Sequence, residues 1–402
     1  MTNVSSNRAG EFVGQTGGYR AFYPAPLPPT PSIAMDDSLS QLLSKADQAI
    51  GRLDGVTQIL PNAELFVAMY VRREAVLSSQ IEGTQSTLDD VLTFELDPAG
   101  TGLPQDVEEV VNYVRAMNSG LRRLSTLPLS LRLIREIHQE LLSGVRGADK
   151  QPGEFRRIQN YIAPEGTPLE MATFVPPPPP VMLTALHDFE TFLHSRNPLP
   201  TLVECALAHA QFETIHPFVD GNGRVGRLLI TFLLCHRGVL ERPLLYLSYY
   251  LKRHRAEYYD RLTAIRVDGD WEGWLRFFLT GVAETAIEAT TTARQILELR
   301  ERHRELIHTR RLGVNAARLV GEILFERPLV NVKLVALMLG VTFKTASKIV
   351  SALVELELLR EITGGHRGRV YRYEPYLKLF DDPNPAAGPT VPVQVTDSLP
   401  TP

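Results

Sequence analysis

The sequence predicts a mainly α-helical protein of two or three domains, with one β-hairpin near its middle and a winged helix-turn-helix near its C-terminus. Three observations carry this. Apolar residues recur at three- and four-residue spacing through most of the chain, while alternating strand-like runs are scarce. The 402 residues exceed what one compact unit usually holds, at about 150 residues per domain. The block from 315 to 380 changes rhythm: a helical pattern over 331–339, the turn Gly340-Val341-Thr342, a second helix over 343–356, then two short strand patterns around 363–368.

Taken in order, residues 1–38 read as an extended arm, Gly- and Ser-rich at first and then dense in proline up to Pro29, which forbids helix and favours polyproline-like backbone. Residues 39–128 read as a helical region. Leu42, Leu43, Ala46 and Ile50 share one face, and Phe66, Met69, Tyr70, Leu77 and Ile81 form the apolar stripe of a longer helix that stops at Gly83. Residues 129–312 hold further helices over 129–142, 181–193, 202–215, 224–237 and from 271 to 311. They also hold the exception, 157–175, where two strand patterns flank the turn-rich Pro164–Pro168 and a five-proline run ends the hairpin. The winged helix occupies 313–380, and 381–402 is poor in apolar residues and reads as a disordered tail.

Composition excludes several classes. With 44% hydrophobic residues, 22% charged residues and a net charge of −4, the chain is neither a disordered polyanion nor a generally basic nucleic-acid coat. Its two cysteines, Cys205 and Cys235, lack the spacing of a thiolate zinc site or a disulfide framework, and a reducing cytoplasm fits them. No apolar run approaches the ~20 residues that cross a bilayer, so no membrane partner is expected.

The chemistry concentrates in His216-Pro-Phe-Val-Asp-Gly-Asn-Gly-Arg-Val-Gly-Arg227, between two apolar helical patterns. Gly221 and Gly223 permit positive φ and close backbone approach, so successive N–H groups can cradle an anion at the positive end of the next helix. Arg224 and Arg227 share a face of that helix and suit bidentate bonds to phosphate. Asp220 is a hard oxygen ligand for Mg²⁺, and His216 titrates near neutral pH and can accept a hydroxyl proton. The embedded Gly221-x-Gly-x-x-Gly226 is not a dinucleotide fingerprint, because a helical pattern rather than a strand precedes it.

This segment resembles the full signature of the Fic family, His-Pro-Phe-x-Asp/Glu-Gly-Asn-Gly-Arg-x-x-Arg. The arm, the Asn160-Tyr161 hairpin, the proline run and the winged helix are similar to multidomain bacterial Fic adenylyltransferases. The resemblance implies a helical Fic fold with a β-hairpin flap that registers the target chain. It also implies transfer of AMP from ATP to a protein hydroxyl with release of pyrophosphate. His216 would then be the general base, Asp220 the Mg²⁺ ligand and Asn222 a positioner of the α-phosphate. Gly221 and Gly223 would donate backbone N–H groups, and Arg224 and Arg227 would hold the outer phosphates. Gly223 stands where Fic-like kinases carry lysine. Ser78-Ser-Gln-Ile-Glu82-Gly83 resembles the family's inhibitory motif, in which Glu82 would take a bidentate bond from Arg227; the same carboxylate could serve AMP removal. Tyr246, Tyr249, Tyr250, Tyr258 and Tyr259 lie where adenosine contacts could arise, although helical spacing suits core equally. The target stays open, the chain itself included, as does a homodimer. Lys344, Lys348, His366, Arg367, Arg369 and Arg372 form a footprint for DNA, so a DNA-binding regulator with a nucleotide-sensing domain is the alternative.

Overall fold

The computed structural model describes residues 7–58, 63–98, 102–164, 166–195, 198–365, 368–381 and 395–398. The N-terminal arm is more ordered than its composition suggests. It forms an antiparallel hairpin, β1 (Gly10–Gly14) and β2 (Arg20–Pro24), with Phe12 opposite Phe22. The turn uses Gly17 and Gly18, both at positive φ, so the arm expected to run extended reverses instead. Phe22 enters the core, and its N–H donates to the Val175 carbonyl at 2.9 Å.

Helices then follow one another: α1 (Asp37–Gln58), α2 (Ala63–Ile81), α3 (Leu88–Leu96), α4 (Val107–Arg123) and α5 (Leu131–Leu141). Thr87 and Asp90 close a capping box at α3, and Ser130 caps α5, each satisfying N–H groups that the first helical turn leaves without partners. The segment expected as a hairpin contracts. Only β3 (Tyr161–Pro164) is a strand, and it meets the returning chain at a single antiparallel bridge, Ile162 to Phe174. Pro164 and Pro168 supply no N–H, and a short 3₁₀ turn over Leu169–Met171 takes up the intervening residues.

Beyond it lie α6 (Pro179–His194), α7 (Thr201–Ile215), α8 (Asn222–His236), α9 (Ser248–Arg253), α10 (Arg255–Asp268) and α11 (Trp271–Thr309). After Thr201, every residue of α7 is buried, which is what an Ala- and Leu-rich helix without a polar face requires. It packs on α8, with α6, α10 and α11 around it. The 39 residues of α11 make a rod of about 58 Å, against which α1 lies. Trp274 secures it by donating its indole N–H to the Ala206 carbonyl at 2.9 Å.

The C-terminal block contains α12 (Val314–Arg318), a π turn over Leu319–Ile323, α13 (Leu324–Glu326), β4 (Leu329–Asn331), α14 (Val332–Leu339), α15 (Phe343–Glu355), β5 (Arg360–Glu361), β6 (Val370–Arg372) and α16 (Glu374–Leu377). Asn331 caps α14, Gly340 ends it at φ +67°, and Thr342 caps α15, so the two helices meet at a bend of 113°. A three-stranded sheet ordered β4-β6-β5 flanks them. The block rests on α2, through Phe66 against Phe325 and Tyr70 against Phe380. Within the stretch expected to be disordered, Val395–Ser398 forms β7, antiparallel to β3 with Ser398 opposite Tyr161; residues 382–394 and 399–402 lie outside the described residues. Among the described residues, no single helix is long and apolar enough to cross a membrane.

His209 in α7 illustrates how this core titrates. Its Nδ1–H donates to the Gly226 carbonyl at 2.9 Å, so Nε2 is the acceptor for the Tyr258 hydroxyl at 2.8 Å and the ring is neutral. Burial pushes it down to about 4 from 6.5. Because the unfolded chain then binds the extra proton, stability is full above pH 6.5 and falls as pH drops toward 4, by up to ~1.4 kcal/mol per pH unit. His209→Gln is expected to flatten the acid limb of a denaturation-versus-pH series by that amount, and parallel limbs would refute the assignment.

Candidate active site

The twelve-residue motif spans the joint between α7 and α8. His216 terminates α7 with φ +49° and ψ +60°, a left-handed conformation unusual for histidine, and its N–H still bonds the Phe212 carbonyl at 2.9 Å. Such a residue persists only where its surroundings hold it. Here they do: the buried Arg156 donates Nε–H to the His216 carbonyl at 2.9 Å and Nη2–H to the Pro177 carbonyl at 2.6 Å, while Asn160 donates Nδ2–H to the Phe218 carbonyl at 2.8 Å. Arg156 and Asn160 thus pin the start of the loop to the β3 segment. Nothing in the local sequence around Arg156 marks it out, because the named partners lie 21 residues away at Pro177 and 60 away at His216.

The loop closes on itself through Asn222. Its side-chain oxygen accepts from Phe218 N–H at 2.8 Å, and its Nδ2–H donates to the Phe218 carbonyl at 2.9 Å. The amide expected at the α-phosphate is therefore also the clasp that shapes the loop. Gly221 precedes α8 at φ +79°, and its N–H donates to Asp220 Oδ1 at 2.6 Å. Phe218 is fully buried and stacks face to face on His138, centroids 3.7 Å apart.

Both arginines are buried, and each has a carboxylate partner from outside the motif. Arg227 donates Nε–H to Ser78 Oγ at 2.8 Å, and its Nη2–H reaches the Ser78 carbonyl at 3.1 Å and Glu82 Oε1 at 2.6 Å. The expected bidentate pair with Glu82 is thus a single ion pair, with Ser78 taking the other edge of the guanidinium. Burial works to raise the Glu82 carboxyl, but the charge of Arg227 and its hydrogen bond, with Arg224 and Arg255 behind, leave it below its ordinary value. Gly223 is required by this contact, since a Cβ there would stand 2.3 Å from Glu82 Oε1. Arg224 donates Nη1–H to Glu109 Oε2 at 3.1 Å, the same oxygen that Arg146 reaches at 3.2 Å, and lies 3.7 Å from Asp220 Oδ1. Glu109, in the first turn of α4, and Arg146 were not singled out by sequence reasoning, which had no local pattern to expose them.

Helix α2 brings Ser78 and Glu82 to the loop and is braced along its length. Glu74 accepts from the Ser248 N–H at 3.1 Å, from the Ser248 hydroxyl and from Tyr113 at 3.2 Å. Burial nevertheless pushes Glu74 up to about 7. Of the tyrosines named above, Tyr246, Tyr249, Tyr250 and Tyr258 are buried, and Tyr70, Phe277 and Trp274 pack among them, so they are core. Tyr259 is partly buried beside Tyr258, and the charges of Glu82 and Arg227 act on its phenol.

The side chains fit a Mg²⁺ held chiefly by phosphates. Asp220 is one third exposed, with one oxygen committed to the loop and the other against Gly147, and no cluster of three ligating side chains exists among the described residues. Mg²⁺ accepts that arrangement, keeping waters and phosphate oxygens with one or two carboxylates.

Residues 40–122 match the Fic/DOC family N-terminal region and residues 128–234 match the Fic/DOC family. Protein adenylyltransferase Fic of Aedes aegypti is 34% identical over 151 residues, covering 37% of this chain and 27% of that protein. Its namesake in Drosophila grimshawi is 35% identical over 153 residues, covering 38% and 28%. The match thus spans just over a quarter of the length of these relatives. A crystal structure of a Fic family protein from Desulfovibrio desulfuricans shares the fold, with a TM-score of 0.56 at 20% identity over 85% of this chain and 97% of that one. Residues 40–122 and 128–234 are thus similar, in that order, to a Fic/DOC N-terminal region and a Fic/DOC domain.

Proposed function

We propose that this chain is a protein adenylyltransferase that moves AMP from ATP to a hydroxyl of a target protein, releases pyrophosphate, and is held down by Glu82. The observation that carries the reading is the joint between α7 and α8. There a carboxylate and two arginines meet at the N-terminus of α8, His216 ends the helix before it, and both arginines are engaged by internal carboxylates, Arg227 by Glu82 and Arg224 by Glu109. Phosphoryl-type transfer needs little covalent chemistry from the protein, so positioning and charge stabilisation suffice.

In this reading His216 accepts the hydroxyl proton as the target oxygen forms its bond to the α-phosphorus and the bond to the β-phosphate oxygen breaks. The N–H groups at the start of α8 face the phosphates, and Arg224 and Arg227 hold the outer ones. Asp220 would hold a Mg²⁺, which when bound would neutralise charge gathered on the phosphates. The β3 segment is bridged to Phe174 on one side and carries β7 on the other, so a target registered as an added strand would take the place of β7. Intact mass after incubation with ATP and Mg²⁺ tests the activity: a gain of one AMP on the chain supports it, and no gain with wild type or Glu82→Gly counts against it. Asp220→Ala is expected to lose metal-dependent transfer across a Mg²⁺ titration, and activity persisting in excess chelator would refute the role of that carboxylate.

The block at 313–380 is proposed as a winged helix-turn-helix that docks protein. The alternative of a DNA-binding regulator is less well supported, because Arg372 is engaged by Glu374 at 2.5 Å and by Asp89 at 3.3 Å, leaving Lys344, Lys348 and Arg369 as its described cations. His366 and Arg367 lie outside the described residues.

A further inference from the structure

We infer that His138, on α5 and outside the motif, is a positioning residue for AMP transfer that holds the peptide between Asp220 and Gly221 in place. The inference rests on the adenylyltransferase reading. Its ground is a three-way contact. The Gly153 N–H donates to His138 Nδ1 at 2.8 Å, and because a backbone N–H can only donate, Nδ1 is the acceptor and Nε2 carries the proton. Nε2–H then donates to the Asp220 carbonyl at 2.9 Å, and the ring face lies on Phe218, nearly parallel at 5°.

These contacts bracket the loop at its turning point. Asp220 and Gly221 are where the chain passes from the Phe218 anchor into α8, and the Gly221 N–H is already turned onto Asp220 Oδ1. The Asp220 carbonyl fixes the rotation of that peptide, hence the direction of the Asp220 side chain and of the first N–H groups of α8. His138 is wholly buried and takes no part in the phosphate or hydroxyl face of the site. It also ties the loop to Gly153, three residues before Arg156, so one imidazole links α5, the approach to β3 and the motif.

Phenylalanine at 138 would keep the stack on Phe218 and lose both hydrogen bonds, while glutamine would offer one donor and one acceptor without the ring. In a Glu82→Gly background, His138→Phe is expected to lower kcat for AMP transfer about 10- to 100-fold while ATP affinity, read with a fluorescent ATP analogue, stays within about threefold. His138→Gln should recover part of kcat. Hydrogen exchange should quicken in a peptide covering 216–223 and stay unchanged in α11. A folded His138→Phe protein with kcat within about twofold of its parent would overturn the proposal, as would a loss of kcat matched by the same loss of ATP affinity. Absence of transfer in the Glu82→Gly parent would overturn the functional reading alone, and the exchange measurement would then decide whether His138 holds the loop.

Discussion

Replacing His216 by asparagine is expected to lower AMP transfer by about 10²- to 10⁴-fold, the usual worth of a general base, while ATP binding survives. Asparagine is the informative choice because position 216 sits at φ +49°, a region that asparagine enters more readily than most residues. The backbone carbonyl would keep its bond from Arg156, and the 216 N–H its bond to Phe212, so the loop should hold its shape without the imidazole. The assay is transfer of label from α-labelled ATP to protein, run beside binding of a fluorescent ATP analogue. An active His216→Asn enzyme would remove His216 as the base. Loss of binding together with transfer would mean that the imidazole shapes the pocket instead.

Glu82→Gly is expected to act in the opposite direction, raising transfer by one to two decades. In this structure Glu82 bonds Arg227 at 2.6 Å, in the space against Gly223 where a single added Cβ would clash. A charge-assisted bond of this kind contributes about 1.5–3 kcal/mol, which is the margin by which a phosphate must outcompete it. The substitution should release Arg227 without setting it adrift, because Ser78 still receives Nε–H at 2.8 Å and Nη2–H at 3.1 Å. Arg227→Ala should therefore stay inactive with or without Glu82, since the guanidinium that loss of Glu82 is proposed to release would be missing. Rates of self-modification for the four proteins of this cycle provide the test. No gain in Glu82→Gly over wild type would show that Glu82 does not restrain this protein. If it instead slows release of AMP from a modified target, the carboxylate serves the reverse chemistry.

How much of this was legible beforehand depended on the range of the interactions involved. Most helices followed from apolar spacing, α3, α9 and α10 excepted, and the two helices of the C-terminal block with their Gly340 turn lie where the pattern placed them. The expected long hairpin at 157–175 contracted to one bridge. Strand propensity at Ile158 and Tyr161 could not reveal that Arg156 and Asn160 commit this stretch to the loop instead. The N-terminal arm erred the other way: Gly- and Pro-rich composition reads as extended chain, and only its packing against Val175 and the core makes β1 and β2 a stable pair.

By itself, the sequence determined which groups share the loop. His216, Asp220, the glycines and the two arginines fall within twelve residues, so covalent connectivity alone keeps them together at a helix start. Tertiary structure decided which partners those groups meet. Glu82 reaches Arg227 across 145 residues, Glu109 reaches Arg224 across 115 and His138 reaches Asp220 across 82. A hydrogen bond or ion pair between distant positions leaves no period in the chain, because each partner is placed by the packing of its own helix. Whether the loop is free, restrained or held is therefore written in how α2, α4 and α5 pack around α8.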